Sequence, residues 1–267
     1  MTSLAELFTP HALVFTLVLA RIGGMAVTAP LFSAAAVPAP IRAILALALA
    51  VIVAPAQLDA PVAGLTTAAD CLIAFGVEAL VGMALGLGAA ILISAAQLAG
   101  QLIAQAGGLA LAEVFDPGLG AEVPVLSQLL YFFALSIYLV VGGHRLLVSG
   151  LLDTFAALPL GAGRLPGPLA DTLVTLVTES FSLSIRAAAP AIIALLTATI
   201  IIGMISRTLP HLNVLTLGFG LNTIVAFGAL ALALGSVAWL FEDQIQPTMS
   251  LVLRAIVSPA RAASVPS

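Results

Sequence analysis

Glu113, Asp116 and Glu122 fall within ten residues, in 112-AEVFDPGLGAEVPVLSQ-128. Their type and spacing suit passing protons or holding a cation, as in a transporter's relay. Their setting argues for something else. An acid at a bilayer centre costs on the order of 3 kcal/mol on insertion scales, so three would cost on the order of 9. Pro117, Gly118, Gly120 and Pro124 interrupt helices around them. The segment therefore reads as an irregular loop that reaches water or lines a cavity inside protein. A relay, a connecting loop and a cavity lining all stay open on the residues alone.

Other chemistry is sparse. The chain holds no HExxH, GxSxG or P-loop pattern. Cys71 is the single cysteine, so neither an internal disulfide nor a cysteine metal cluster is expected. His11, His144 and His211 are scattered near the ends of apolar segments and make weak evidence for a metal. No catalytic, cofactor or metal site is expected, and the chain is not expected to be an enzyme.

The elements that must carry these residues are apolar. Hydrophobic residues make up 62% of the 267, Asp, Glu, Lys and Arg only 7%, and there is no lysine. Soluble domains carry about 25% charged residues. The net charge of −4 has no basic cluster in it, so nothing argues for a nucleic-acid partner or an anionic lipid surface; it is the apolar composition that points to membrane lipid. Apolar segments are expected at about 11–29, 41–55, 71–112, 123–143, 187–206 and 214–241. Most approach the ~20 residues that cross a bilayer. They are apolar all round and too long for the strands of a barrel, so the fold is all-α, a polytopic membrane-type protein of about six long helices forming hairpins. The first segment lacks a basic n-region and reads as a retained span. Residues 153–172 read as an irregular loop, with a further helix starting near 168–172 and running through Glu179 and Arg186. Arginine bias places both termini in the cytoplasm: Arg145, Arg164, Arg254 and Arg261 share their side, opposite Arg42 and Arg207.

Residues 79–112 carry no charge. A straight helix of that length runs ~50 Å, beyond a ~30 Å hydrocarbon core. It must break near Gly107–Gly108 or be covered by other protein. Gln97, Gln101 and Gln105 share one of its faces. Ala96, Gly100, Ala104 and Gly108 form a small-residue face beside it, and Gly82 and Gly86 make a GxxxG upstream. Small residues let helix backbones approach, and amides bond between helices, so these positions are expected to serve packing or assembly. Glu78 and Arg186 abut long apolar runs and are expected to be buried. Arg21 lies inside the first span. Each needs a partner at membrane depth.

Five stretches in order carry a family resemblance: 19-LARIGGMAVTAPLF-32, 37-VPAPIRAILALALA-50, 78-EALVGMALG-86, 112-AEVFDPGLGAEVPVLSQ-128 and 188-AAPAIIALLTATIIIGMISRTLPHLNVLTLGF-219. The chain resembles the FliR family of flagellar export components, whose close relatives serve injectisomes. Gly142, His211 and Gly220 depart from the family's usual aspartate, glutamine and proline. The resemblance implies a single membrane-embedded unit: residues 1–185 similar to a FliP fold and 186–267 to a FliQ hairpin with a tail, turning near Arg207. It implies an export gate built with FliP-like and FliQ-like subunits beside FlhB-like and FlhA-like components. Such a gate sits at the flagellar basal body in the bacterial inner membrane and passes unfolded export substrates. It implies that the loop at 110–124 plugs the pore, presenting Glu113, Phe115 and Glu122 around a turn at Asp116, Pro117 and Gly118. An injectisome gate and a stand-alone proton or solute transporter are the alternatives.

Overall fold

Runs of Ala, Leu, Val and Ile dictate the architecture, because backbone groups in an apolar chain must bond within their own segment. The computed structural model describes residues 4–33, 37–58, 62, 65, 67–108, 124–161, 165, 167–208 and 214–263. These form helices α1 (Leu4–Thr28), α2 (Pro30–Ser33), α3 (Ala39–Val53, continued by a 3-10 turn Ala54–Gln57), α4 (Ala68–Ala106), α5 (Val125–Val141), α6 (Gly143–Ala157), α7 (Leu169–Thr208) and α8 (Val214–Ala263). No strand occurs among the described residues. Four helices are long and apolar enough to cross a membrane, and up to six spans result if each of two bent pairs is counted as one. The protein is an all-α, multi-pass membrane protein.

Local chemistry sets the helix ends. Thr67 and Asp70 form a reciprocal cap at the start of α4: the Thr67 amide donates to Asp70 Oδ2 at 2.9 Å, and the Asp70 amide donates to Thr67 Oγ1 at 3.1 Å. α4 then runs 39 residues and stops at the expected glycine pair, with Gly108 at φ 72°. α5 and α6 are separated by Gly142, whose φ of 85° suits a glycine. That conformation accounts for glycine at this position.

The chain divides into two units by internal contact. The first comprises residues 1–91, 142–176 and 245–267. Its core joins Leu17, Ile22 and Met25 of α1 with Val81 and Leu85 of α4, Leu147 and Leu151 of α6, and Val252 and Ile256 of α8. α3 packs against α1. The second unit comprises 92–141 and 177–244. Its core joins Ile93 and Ile103 of α4, Leu126 and Leu130 of α5, Leu195 of α7, and Leu230 and Phe241 of α8.

Three expectations need correction. Residues 153–157 are helical, because α6 continues to Ala157 before the chain turns. The helix through Glu179 and Arg186 and the segment at 187–206 are one 40-residue helix, α7. Pro190 lies inside it. The proline removes one backbone bond and does not stop the helix. Arg186 is exposed and not buried.

Candidate functional site

The close approach of α1 and α4 comes from glycines. A Cβ on Gly24 would strike the Ala79 carbonyl, one on Gly82 the Arg21 carbonyl, and one on Gly86 the Thr28 hydroxyl and the Ala29 amide. Backbone therefore lies on backbone along this seam, as small-xxx-small spacing allows. Thr28 reinforces it, its hydroxyl donating to the Met83 carbonyl at 2.9 Å.

Glu78 precedes Gly82 by one turn, and the seam brings it against Arg21. Arg21 Nε donates to Glu78 Oε2 at 2.6 Å. Their side chains are 0% and 2% exposed, so this is a buried ion pair. The rest of the guanidinium is also engaged. Nη1 donates to Thr154 Oγ1 at 3.2 Å and Nη2 to the Leu158 carbonyl at 3.3 Å. The Phe155 ring centroid lies 4.4 Å from the guanidinium carbon, an added cation–π contact. The Thr154 hydroxyl in turn donates a hydrogen bond to the Leu151 carbonyl at 2.7 Å. The second carboxylate oxygen, Glu78 Oε1, accepts the Gly161 amide at 3.0 Å. Gly161 has φ 77°, a conformation that points its amide into the centre at little steric cost.

This centre ties α1, α4, α6 and the turn after α6 at one point. Both charges are paired and bonded, the condition under which ionic groups survive at membrane depth. With the pair buried and bonded to fixed backbone and hydroxyl groups, the arrangement suits holding helices in register rather than moving protons. The sequence pointed to Glu78 and Arg21 as charges in need of partners but not to each other. Thr154, Leu158 and Gly161 carried no signal, since they lay in or beside an expected loop.

The other expected site residues are placed as follows. Gln97 and Gln101 are half-buried and Gln105 is exposed on α4. The neighbouring small face packs on α5: Ala96 and Ala104 are buried, and a Cβ on Gly100 would lie 2.5 Å from Ser127 Cα. Arg207 is exposed in the last turn of α7. Glu113, Phe115, Asp116, Pro117, Gly118 and Glu122 lie outside the described residues. Among the described residues no group of His, Cys, Asp or Glu could hold a metal ion.

Residues 12–248, which include the whole ion-pair centre, match the family of bacterial export proteins, family 1. The chain is 34% identical over 231 residues to the flagellar biosynthetic protein FliR of Bacillus subtilis (strain 168), covering 85% of this chain and 86% of that one. The chain belongs to the FliR family. The FliR of Escherichia coli (strain K12) is 30% identical over 243 residues, covering 88% and 89%. That of Caulobacter vibrioides is 25% identical over 244 residues, covering 89% and 95%. The likeness to these FliR proteins thus runs along both units rather than one.

Proposed function

We propose that this FliR-family chain is a non-enzymatic subunit of the flagellar export gate in the bacterial inner membrane. In this reading it forms, with FliP-like and FliQ-like subunits, the channel through which unfolded flagellar proteins pass, beside FlhB-like and FlhA-like components. Family membership along nearly the whole chain carries the reading, and the flagellar names of the relatives favour it over an injectisome role. Residues 1–185 act as the FliP-like part and 186–267 as the FliQ-like hairpin.

Physical observations support a subunit over a self-contained transporter. Ile193, Leu196, Ile200 and Met204 of α7 are 54–69% exposed, an apolar helix face that partner helices or lipid must cover. The ionic centre is sealed and spent on structure. In this reading the loop at 110–124 is the plug. Its carboxylates need water or protein around them, which a pore supplies, and its breakers Pro117 and Gly118 favour a compact turn. A plug that substrates displace is held by only a few kcal/mol.

Deleting the gene in its host and purifying the tagged chain test the reading together. The expected results are loss of flagellar protein secretion and recovery of the chain in a stable complex with FliP-like and FliQ-like subunits. A monomer that takes up solute while secretion continues overturns it. Deleting 112–122 within the complex should leave assembly intact and make the membrane leak small ions. A tight membrane with normal assembly places the seal elsewhere.

A further inference from the structure

α1 and α4 share the ionic centre of the first unit, but they do not depend on it equally. The span of α1, His11–Thr28, is 18 residues long and carries Arg21 near its middle. Eight of those residues are Leu, Ile, Val or Phe. On insertion scales a centred arginine offsets about six such residues. His11, Thr16, Gly23 and Gly24 add nothing to the apolar side. Transfer of α1 by itself from water into a bilayer is therefore close to balanced. α4 has ample margin. Glu78 is followed by 28 uncharged residues, 79–106, more than the ~20 that a bilayer requires. α4 can cross with its carboxylate still at the water's edge.

What α1 lacks, α4 supplies. The glycine contacts at Gly24, Gly82 and Gly86 let the two backbones touch, and in that approach Arg21 Nε reaches Glu78 Oε2. Order along the chain adds a second argument. Glu78 follows Arg21 by 57 residues, Thr154 by 133 and Leu158 by 137. As the chain emerges from its N-terminus, the carboxylate is the first of these partners to be made. It is also the one that cancels the guanidinium charge, which the Thr154 hydroxyl and the Leu158 carbonyl do not.

We propose that α1 becomes a membrane span only with α4: Glu78 and the glycine seam hold it in the bilayer. The dependence runs one way, since α4 crosses without help from Arg21. A pair that merely stabilised the finished fold would treat its two members alike. Here they differ. Removing Arg21 frees α1 to cross unaided, whereas removing Glu78 leaves α1 with an uncompensated charge and strands it in water. The assignment is independent of the export reading, since it concerns how this chain enters the membrane.

Thr16 lies within the α1 span and is exposed in the fold, so lipid rather than packing shields it. Cys71 is the single cysteine, and Cys71→Ser gives a clean background for Thr16→Cys. A sulfonated maleimide reacts with thiolate in water and not with a thiol in hydrocarbon. Membranes from cells expressing the full chain would be labelled with it, and the labelled fraction read against the same sample after denaturation. The parent should label weakly. Glu78→Leu should raise the fraction several-fold. Gly82→Leu keeps both charges but puts a side chain on the Arg21 carbonyl, and should raise it too. Arg21→Leu and the double variant Arg21→Leu/Glu78→Leu should label as weakly as the parent, although the single variant loses the buried pair. Parent-level labelling of Glu78→Leu overturns the proposal, because α1 then crosses unaided. Parent-level labelling of Gly82→Leu overturns the part given to the seam. Labelling of Arg21→Leu as strong as that of Glu78→Leu also overturns the proposal, since a damaged fold and not a stranded charge would then expose α1.

Discussion

Arg21 and Arg186 begin as similar residues, each set beside a long apolar run, and end in opposite circumstances. Arg21 is 0% exposed, bonded to Glu78, Thr154 and Leu158, and stacked on Phe155. Arg186 is exposed beside a groove with no carboxylate among its lining residues. The contrast separates two uses of a charge in a greasy chain. The first unit meets the cost of its charge internally and gains a fixed meeting point for several helices. The second unit leaves its charges at the ends of a helix span, where water, headgroups or partner chains complete them.

The sharpest way to break this comparison is to remove one half of the buried pair. Arg21→Leu or Glu78→Leu alone leaves an uncompensated buried charge and should cost about 3–5 kcal/mol. Thermal unfolding of the purified chain in detergent would show it. The double variant Arg21→Leu/Glu78→Leu should recover most of that loss, because an apolar pair of similar volume avoids desolvation. If the single variants unfold as the parent does, the centre is not what joins the helices.

A smaller loss is expected along the seam. Gly82→Leu places a side chain on the Arg21 carbonyl, which is backbone and cannot swing away. A destabilisation of about 1–3 kcal/mol follows, as for overpacked cores. Gly228→Ala on α8, where a Cβ meets open space, serves as the control and should change little.

The second unit should respond in assembly rather than in its own stability. Replacing Gln97, Gln101 and Gln105 together with leucine should lower recovery of the complex with FliP-like and FliQ-like subunits, because half-buried and exposed amides on one face suit bonds to other chains. Normal assembly and secretion would remove that role. The smallest effect is expected at the span edges. Arg186→Gln and Arg207→Leu should each change the unfolding of the isolated chain by less than about 0.5 kcal/mol, as exposed positions do. Arg207→Leu should still reduce complex yield. A large loss of stability in either isolated variant would erase the distinction between the two units.

Composition and run length by themselves determined that this is a helical, multi-pass membrane protein, because an apolar chain can satisfy its backbone only within each segment. They also offered a break at Gly107–Gly108 as one of two ways to end a run too long for one bilayer, the one that α4 takes, and five short stretches were enough to point to the family. Tertiary structure alone decided the rest. Arg21 and Glu78 are 57 residues apart, and Thr154 is 133 from Arg21. Periodicity is a local property and says which face of a helix is small or polar, not which helix will lie against it. Only the backbone contact at Gly24, Gly82 and Gly86 brings the carboxylate within reach of the guanidinium. The helix at 143–157 was illegible for the same reason: its polar residues look like loop until Thr154 and the Leu158 carbonyl are seen to be spent on Arg21. Arg186 shows the converse, since flanking hydrophobicity measures what surrounds a charge along the chain, and burial depends on what surrounds it in space.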